Sequence, residues 1–170
     1  MSPARLALMG FYAALAFVAW AAFATPVQAQ ADPRTPVGYL VMCLEYPEEC
    51  RGGGGIVPMT EELIVMLADV NKAVNQNMVQ VADAPGTDTW NPNEWAAGDC
   101  EEFVMAKRRV LKFIGVPIEA MMIGVVLLEN GEGHAILVVM TDEGTLTLDN
   151  LTNDVVPVAR TPYRLVMLLP

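Results

Sequence analysis

Positive charge is scarce in this chain. Lysine and arginine number 10 against 20 aspartates and glutamates, a net charge of −10 with histidine neutral. No basic patch can form against that excess, so nucleic acid is excluded as a partner. Histidine occurs once, as His134, and cysteine only at Cys43, Cys50 and Cys100. Zinc held by these cysteines and His134 would need short, paired ligand spacing, which is missing. Gly52-Gly53-Gly54-Gly55 is not followed by Gly-Lys-Ser/Thr, which rules out a phosphate loop. No internal repeat or low-complexity domain is present.

Long apolar runs are confined to the N-terminus. Arg5 precedes an uncharged stretch from Leu6 to Ala24, then Pro26 and the small-residue segment Val27-Gln28-Ala29-Gln30-Ala31. This reads as a signal peptide over residues 1–31, with cleavage after Ala29 or Ala31. An uncleaved anchor helix is the competing reading, since the run nearly spans a bilayer. Both put the remainder outside the cytoplasm, periplasmic or secreted. After cleavage no membrane span is left, and residues 32–170 suffice for one domain. In an oxidising compartment two of the three cysteines should pair. Cys43 and Cys50 flank the turn-like Glu45-Tyr46-Pro47-Glu48-Glu49, so a short disulfide loop is expected there. Cys100 is then the odd thiol.

Residues 59–81 read as a helix, capped by Thr60, with Glu61 and Glu62 in its first turn and Leu63, Leu67, Val70 and Val74 at helical spacing. Asp83 to Asn93 is a loop. Asp99 caps a second helix, Cys100 is its first residue, and Glu102 completes a capping-box pattern. Lys107, Arg108, Arg109 and Lys112 crowd the C-terminal half, where the helix dipole favours cations. Gly115 and Pro117 end it. Strand patterns follow at 120–128, 134–140, 145–149 and 163–169, separated by Asn130–Gly133 and Thr141–Gly144 turns. Helices first and strands after predict an α+β fold, with N-terminal helices packed on an antiparallel meander.

The stretch AAGDCEEF, residues 96–103, sets Cys100 among Asp99, Glu101 and Glu102. Those carboxylates should raise the thiol's pKa, the reverse of what a nucleophile needs. If Asp142-Glu143 is a two-residue hairpin loop, Met140 pairs with Thr145 and His134 lies opposite Leu151. Asp149 then shares the face of His134 as its diagonal neighbour. Cys100 at a helix N-terminus, His134 and Asp149 together suggest a nucleophile, a base and its orienting group. The Cys100 N–H would contribute to an oxyanion hole. Each residue also has a structural explanation: a buried small cysteine, a core histidine, a turn-opening aspartate.

Trp95, the run Gly98-Asp99-Cys100-Glu101-Glu102-Phe103, Lys107-Arg108-Arg109, Leu111 and Gly115 are followed by Gly133-His134-Ala135-Ile136-Leu137 and Leu148-Asp149-Asn150-Leu151. This pattern resembles the bacterial transglutaminase-like cysteine proteinases, from about Pro36 to Tyr163. The resemblance implies a transglutaminase-like, papain-like cysteine-protease fold and a peptidase with Cys100 as nucleophile, His134 as base and Asp149 as orienter. It implies a protein substrate, since members of the family clip cell-surface adhesins in the periplasm, and leaves room for a regulatory membrane receptor. It also implies Ca2+, bound by Asp99 and Glu101 with Glu102 as a further ligand. Calcium takes hard oxygen ligands, and its charge would reverse the field on the thiolate. Further ligands would come from the loop 83–93. The capping box accounts for Asp99 and Glu102 without a metal. Two other functions remain compatible with these residues: transglutaminase-type acyl transfer, and a catalytically idle module binding calcium or a partner.

Overall fold

The computed structural model describes residues 32–170; the expected signal peptide, 1–31, lies outside them. Helix α1 spans Val37–Glu45 and gives way to a 3-10 turn at Pro47–Cys50, where Pro47 cannot continue an α-helix. Cys43 and Cys50 are bonded across this turn and Cys100 is free, as their spacing suggests.

Helix α2 covers Glu61–Asn77. The Thr60 hydroxyl accepts the Leu63 N–H at 3.1 Å, satisfying one of the donors a helix start leaves open. Its buried stripe is Leu63, Leu67, Val70, Asn71 and Val74. The helix ends four residues before Val81, the end expected from periodicity. Met78 turns extended, and strand β1, Val79–Gln80, pairs in parallel with β2, Ala97–Gly98. That pairing joins the end of α2 to the two residues before Asp99, and no local pattern announces it.

Helix α3 spans Cys100–Phe113. Gly115 follows at φ +105°, a left-handed stop that glycine takes without steric cost, and Val116 N–H closes on the Leu111 carbonyl at 2.9 Å. The four basic residues of α3 divide rather than forming one solvated end. Lys107 and Arg108 are fully buried, while Arg109 lies over the Trp95 ring at 5.3 Å and Lys112 reaches Glu49 at 3.7 Å.

Four antiparallel strands complete the domain: β3 (Met121–Leu127), β4 (Gly133–Thr141), β5 (Gly144–Leu148) and β6 (Arg164–Leu169). Their order is β5-β4-β3-β6. The expected meander holds for β3 to β5 only. The last strand returns to the far side of β3, the Greek-key arrangement. The β4–β5 hairpin keeps the expected register, Met140 opposite Thr145. Its ladder ends at Leu137 opposite Leu148, so the expected pairing of His134 with Leu151 does not form.

Alternation along the strands divides the core. Ala135, Leu137 and Val139 of β4 and Leu146 and Leu148 of β5 join the main core with α2 and α3. Ile136 and Val138 form a smaller cluster with Val126, against which Tyr163 and Leu168 pack. No helix among the described residues is long and apolar enough to cross a membrane.

Candidate active site

His134 and Asp149 approach each other on the sheet. His134 Nε2 and Asp149 Oδ1 are 2.8 Å apart, and both side chains are nearly inaccessible to water. The strand period puts His134 with Ile136 and Val138, on the face opposite Leu137. Asp149 shares that face through Thr147, although the chain has already left the ladder. The Asp149 carboxylate accepts the Leu151 N–H on Oδ1 at 3.0 Å and the Tyr163 hydroxyl on Oδ2 at 2.5 Å. Burial alone would push Asp149 up. The bonds from His134, Leu151 N–H and Tyr163 outweigh it and hold the carboxyl below its usual range. Asn75 of α2 clamps the same turn by donating to the Asp149 carbonyl at 2.9 Å.

Cys100 enters from the helical layer. With Glu101 and His134 it lines a cavity of about 360 Å³, together with Gln80, Asp99, Glu132 and Asn150. A second cavity of about 180 Å³, lined by Trp90, Asp88 and Ala135, contains the same three residues. Gly133 lines both, and a Cβ there would meet nothing within 4 Å. The thiol and the imidazole therefore come from opposite faces and line the same two cavities at the open end of β4.

The thiol is held in its neutral form. Cys100 Sγ donates to Glu101 Oε2 at 2.9 Å. Burial is the chief cause pushing the thiol far above its ordinary range, followed by the Glu101 charge and hydrogen bond; the Ala135 backbone opposes them. Burial, then a hydrogen bond shared with Asp99, pushes Glu101 up to about 8. The two carboxylates thus retain a proton between them at neutral pH. Ligand atoms of Asp99, Cys100 and Glu101 lie within 4.8 Å of one another, close enough to hold one cation. Asp99 Oδ2 accepts the Asp83 N–H at 3.3 Å, and the half-buried carboxylate shares a further hydrogen bond with Glu101. Two carboxylates that share one proton are a donor set in which a cation could replace that proton.

Glu102 stands outside this group. Its Oε2 accepts the Asp99 N–H at 3.2 Å and its Oε1 the Asn91 N–H at 2.9 Å, so it caps the helix and ties down the loop. Gly98 is required for this: a Cβ there would sit 2.4 Å from the Glu102 side chain. The carboxylates of the loop 83–93 make hydrogen bonds of their own. Asp83 accepts the Thr89 N–H at 2.5 Å, and Asp88 accepts from the Gly38 N–H and the Trp90 indole at 2.7 and 2.9 Å. Its carboxylates close the loop on itself and on α1. The side chains beside the trio are Gln80, Glu132 and Asn150, from three separate segments.

Two neighbours were not apparent from sequence. Tyr163 reaches Asp149 only because β6 returns beside β3. Lys107 is buried with no hydrogen-bond partner for Nζ, and the Phe103 ring lies 5.7 Å away. Burial lowers its pKa to about 7, and the Asp149 charge opposes that shift. A lysine with a folded pKa below its unfolded value carries its full cost below pH 7, and the cost fades as pH rises toward 10.4. Lys107→Met therefore stabilises the domain by about 1–4 kcal/mol at pH 6 and by much less at pH 9.5, read from urea midpoints. An equal shift at both pH values would mean that packing, not charge, sets the effect.

A family model described as bacterial transglutaminase-like cysteine proteinase matches residues 29–168. No curated protein matches the chain. Among solved structures, calcium-bound Legionella pneumophila LapG is 26% identical with a TM-score of 0.57, over 62% of this chain and 64% of that one. EGTA-treated LapG from the same organism is 28% identical with a TM-score of 0.54, over 61% of each chain. The match thus spans less than two thirds of the length of LapG.

Proposed function

The chain belongs to the bacterial transglutaminase-like cysteine proteinase family, and from that membership and the geometry we propose an exported cysteine peptidase that cleaves a protein substrate through an acyl-enzyme. The observation that carries this reading is the carboxylate–imidazole pair at 2.8 Å beside a free thiol at a helix start. An ionised Asp149 holds a proton on His134 Nε2 and leaves Nδ1 to take the thiol proton. Cys100 Sγ then attacks the scissile carbonyl, and the imidazolium returns its proton to the leaving amine. Water, deprotonated by the same imidazole, hydrolyses the thioester. The Cys100 N–H, one of the open donors in the first turn of α3, would donate to the oxyanion.

Calcium fits Asp99 and Glu101 by the chemistry of the donors, two close carboxylates that share a proton. Bound there, it supplies the positive charge that offsets the carboxylates facing the thiol. Glu102 orders the helix start that presents both ligands. Two solved LapG structures differ in calcium treatment, which supports assigning the ion to this chain as well. Export rests on the N-terminal segment and agrees with the Cys43–Cys50 bond. The family resemblance points to a cell-surface adhesin as substrate and a membrane receptor as regulator.

The test uses the mature chain, calcium and a mixed peptide library, with a primary amine as competing acceptor. New peptide N-termini are expected with the wild type and none with Cys100→Ala. Intact mass should show one iodoacetamide adduct, on Cys100. Amine incorporation outrunning hydrolysis would assign acyl transfer instead, and cleavage surviving in Cys100→Ala would reject the peptidase.

A further inference from the structure

Tyr163 joins two parts of the site that no other described side chain joins. Its hydroxyl donates to Asp149 Oδ2 at 2.5 Å, and its ring meets the His134 ring edge-on, with centroids 5.8 Å apart at 73°. Asp149 Oδ1 is already occupied by His134 Nε2 and the Leu151 N–H. Oδ2 therefore depends on Tyr163 for its hydrogen bond, in a residue only 2% exposed. A buried carboxylate oxygen without a donor is costly, and a carboxylate free to turn would carry Oδ1 away from the imidazole. The placement comes from topology. Leu165 pairs with Val126, which pairs with His134, so the start of β6 lies across β3 from the imidazole.

We infer that Tyr163 is a positioning residue for the proposed peptidase: its hydroxyl locks the Asp149 carboxylate against His134 Nε2, and its ring holds the imidazole, so Nδ1 is kept free to take a proton. The inference rests on the peptidase reading for its kinetic consequence, but not for its structural one. A hydroxyl bonded to Asp149 favours the ionised carboxylate. An ionised carboxylate in turn favours the proton on Nε2 rather than Nδ1. The alternative is that Tyr163 only fills space beside Val126, Ile136 and Val138.

The chain contains one histidine, so its ring nitrogens give unambiguous signals. Mature wild type, Tyr163→Phe and Tyr163→Leu are compared by long-range proton–nitrogen correlation, at a pH where the imidazole is neutral. The wild type should show the Nε2–H tautomer. In Tyr163→Phe, which keeps the ring contact, a mixture of both tautomers should appear, with a melting point within about 5 °C of wild type. Its kcat for peptide cleavage should fall about 10- to 100-fold with KM nearly unchanged, the pattern of a misplaced base rather than lost binding. Tyr163→Leu should show the same tautomer mixture and a larger fall in melting point. Wild-type tautomer and kcat in Tyr163→Phe would overturn the inference and leave the residue as packing. If the wild type itself cleaves nothing, the peptidase reading fails, and the tautomer comparison still decides the role of Tyr163.

Discussion

Replacing His134 by alanine lowers kcat by roughly 10⁴- to 10⁶-fold while the domain remains folded, on the scale seen when a catalytic base is removed. No other histidine can substitute, and the groups nearest the thiol, Asp99 and Glu101, already share a proton. The cost to stability is about 1–3 kcal/mol, because buried Asp149 loses one of its donors. Asp149→Asn should lower kcat by roughly 10⁴-fold with less structural loss. The amide keeps the size of the side chain, and its oxygen can still accept the Leu151 N–H. The charge that would stabilise the imidazolium disappears. The same substitution alters acid stability. A carboxyl held below its unfolded pKa contributes stability above that unfolded value and loses it as pH falls through the folded one. Acid unfolding of Asp149→Asn should therefore be less steep. Near-wild-type kcat in either variant, with a matched melting temperature, would break the assignment of base and orienter.

Calcium should switch the thiol on. In chelator, alkylation of Cys100 by iodoacetamide is slow near pH 7, because burial and the Glu101 carboxyl keep the thiol protonated. Each unit by which the ion lowers the thiol's pKa multiplies the thiolate fraction about tenfold, so alkylation should accelerate at least tenfold. Binding has a second signature. With a folded pKa of about 8, Glu101 is protonated at pH 7 and must release that proton to act as a ligand. The heat of calcium binding at pH 7 should thus depend on the ionisation enthalpy of the buffer, and in Cys100→Ala, where no thiol proton contributes, that dependence should vanish near pH 9.5. Glu101→Gln removes the carboxyl that must ionise to hold the ion, so it should abolish the calcium response. If the acidic cluster serves only as a capping box, there is no calcium dependence, and Asp99→Ala loses roughly 1 kcal/mol. Calorimetry without a binding heat, combined with full activity in chelator, would decide for the cap alone.

Local chemistry determined much of this protein from sequence. Thr60 and Asp99 mark helix starts because few side chains accept backbone N–H groups there, and Gly115 marks a stop by its backbone freedom. The two-residue Asp142-Glu143 loop sets the hairpin register, and a period of two then brings Asp149 to the face of His134. The odd cysteine count and the short spacing of Cys43 and Cys50 around a turn leave Cys100 as the unpaired thiol. Each of these inferences uses groups a few residues apart or one strand pairing.

Tertiary structure decided what depends on distant partners. Lys107 and Arg108 look like solvated helix-end cations, but both are buried, Arg108 against the Pro170 carbonyl. Glu102 and Asp99 are separated by two residues, yet the position of Asn91 turns Glu102 to the loop while Asp99 keeps an oxygen in reach of Glu101. The β1–β2 pairing ends α2 early, since bonds from the Val79 and Val81 N–H groups to the Ala96 and Gly98 carbonyls replace another helical turn. Tyr163 reaches Asp149 only through the return of β6 across the sheet, a long connection whose destination is set by which strand edge is free to pair. Hydrogen-bond partners so far apart in sequence leave no periodicity to read, and only the packed chain specifies them.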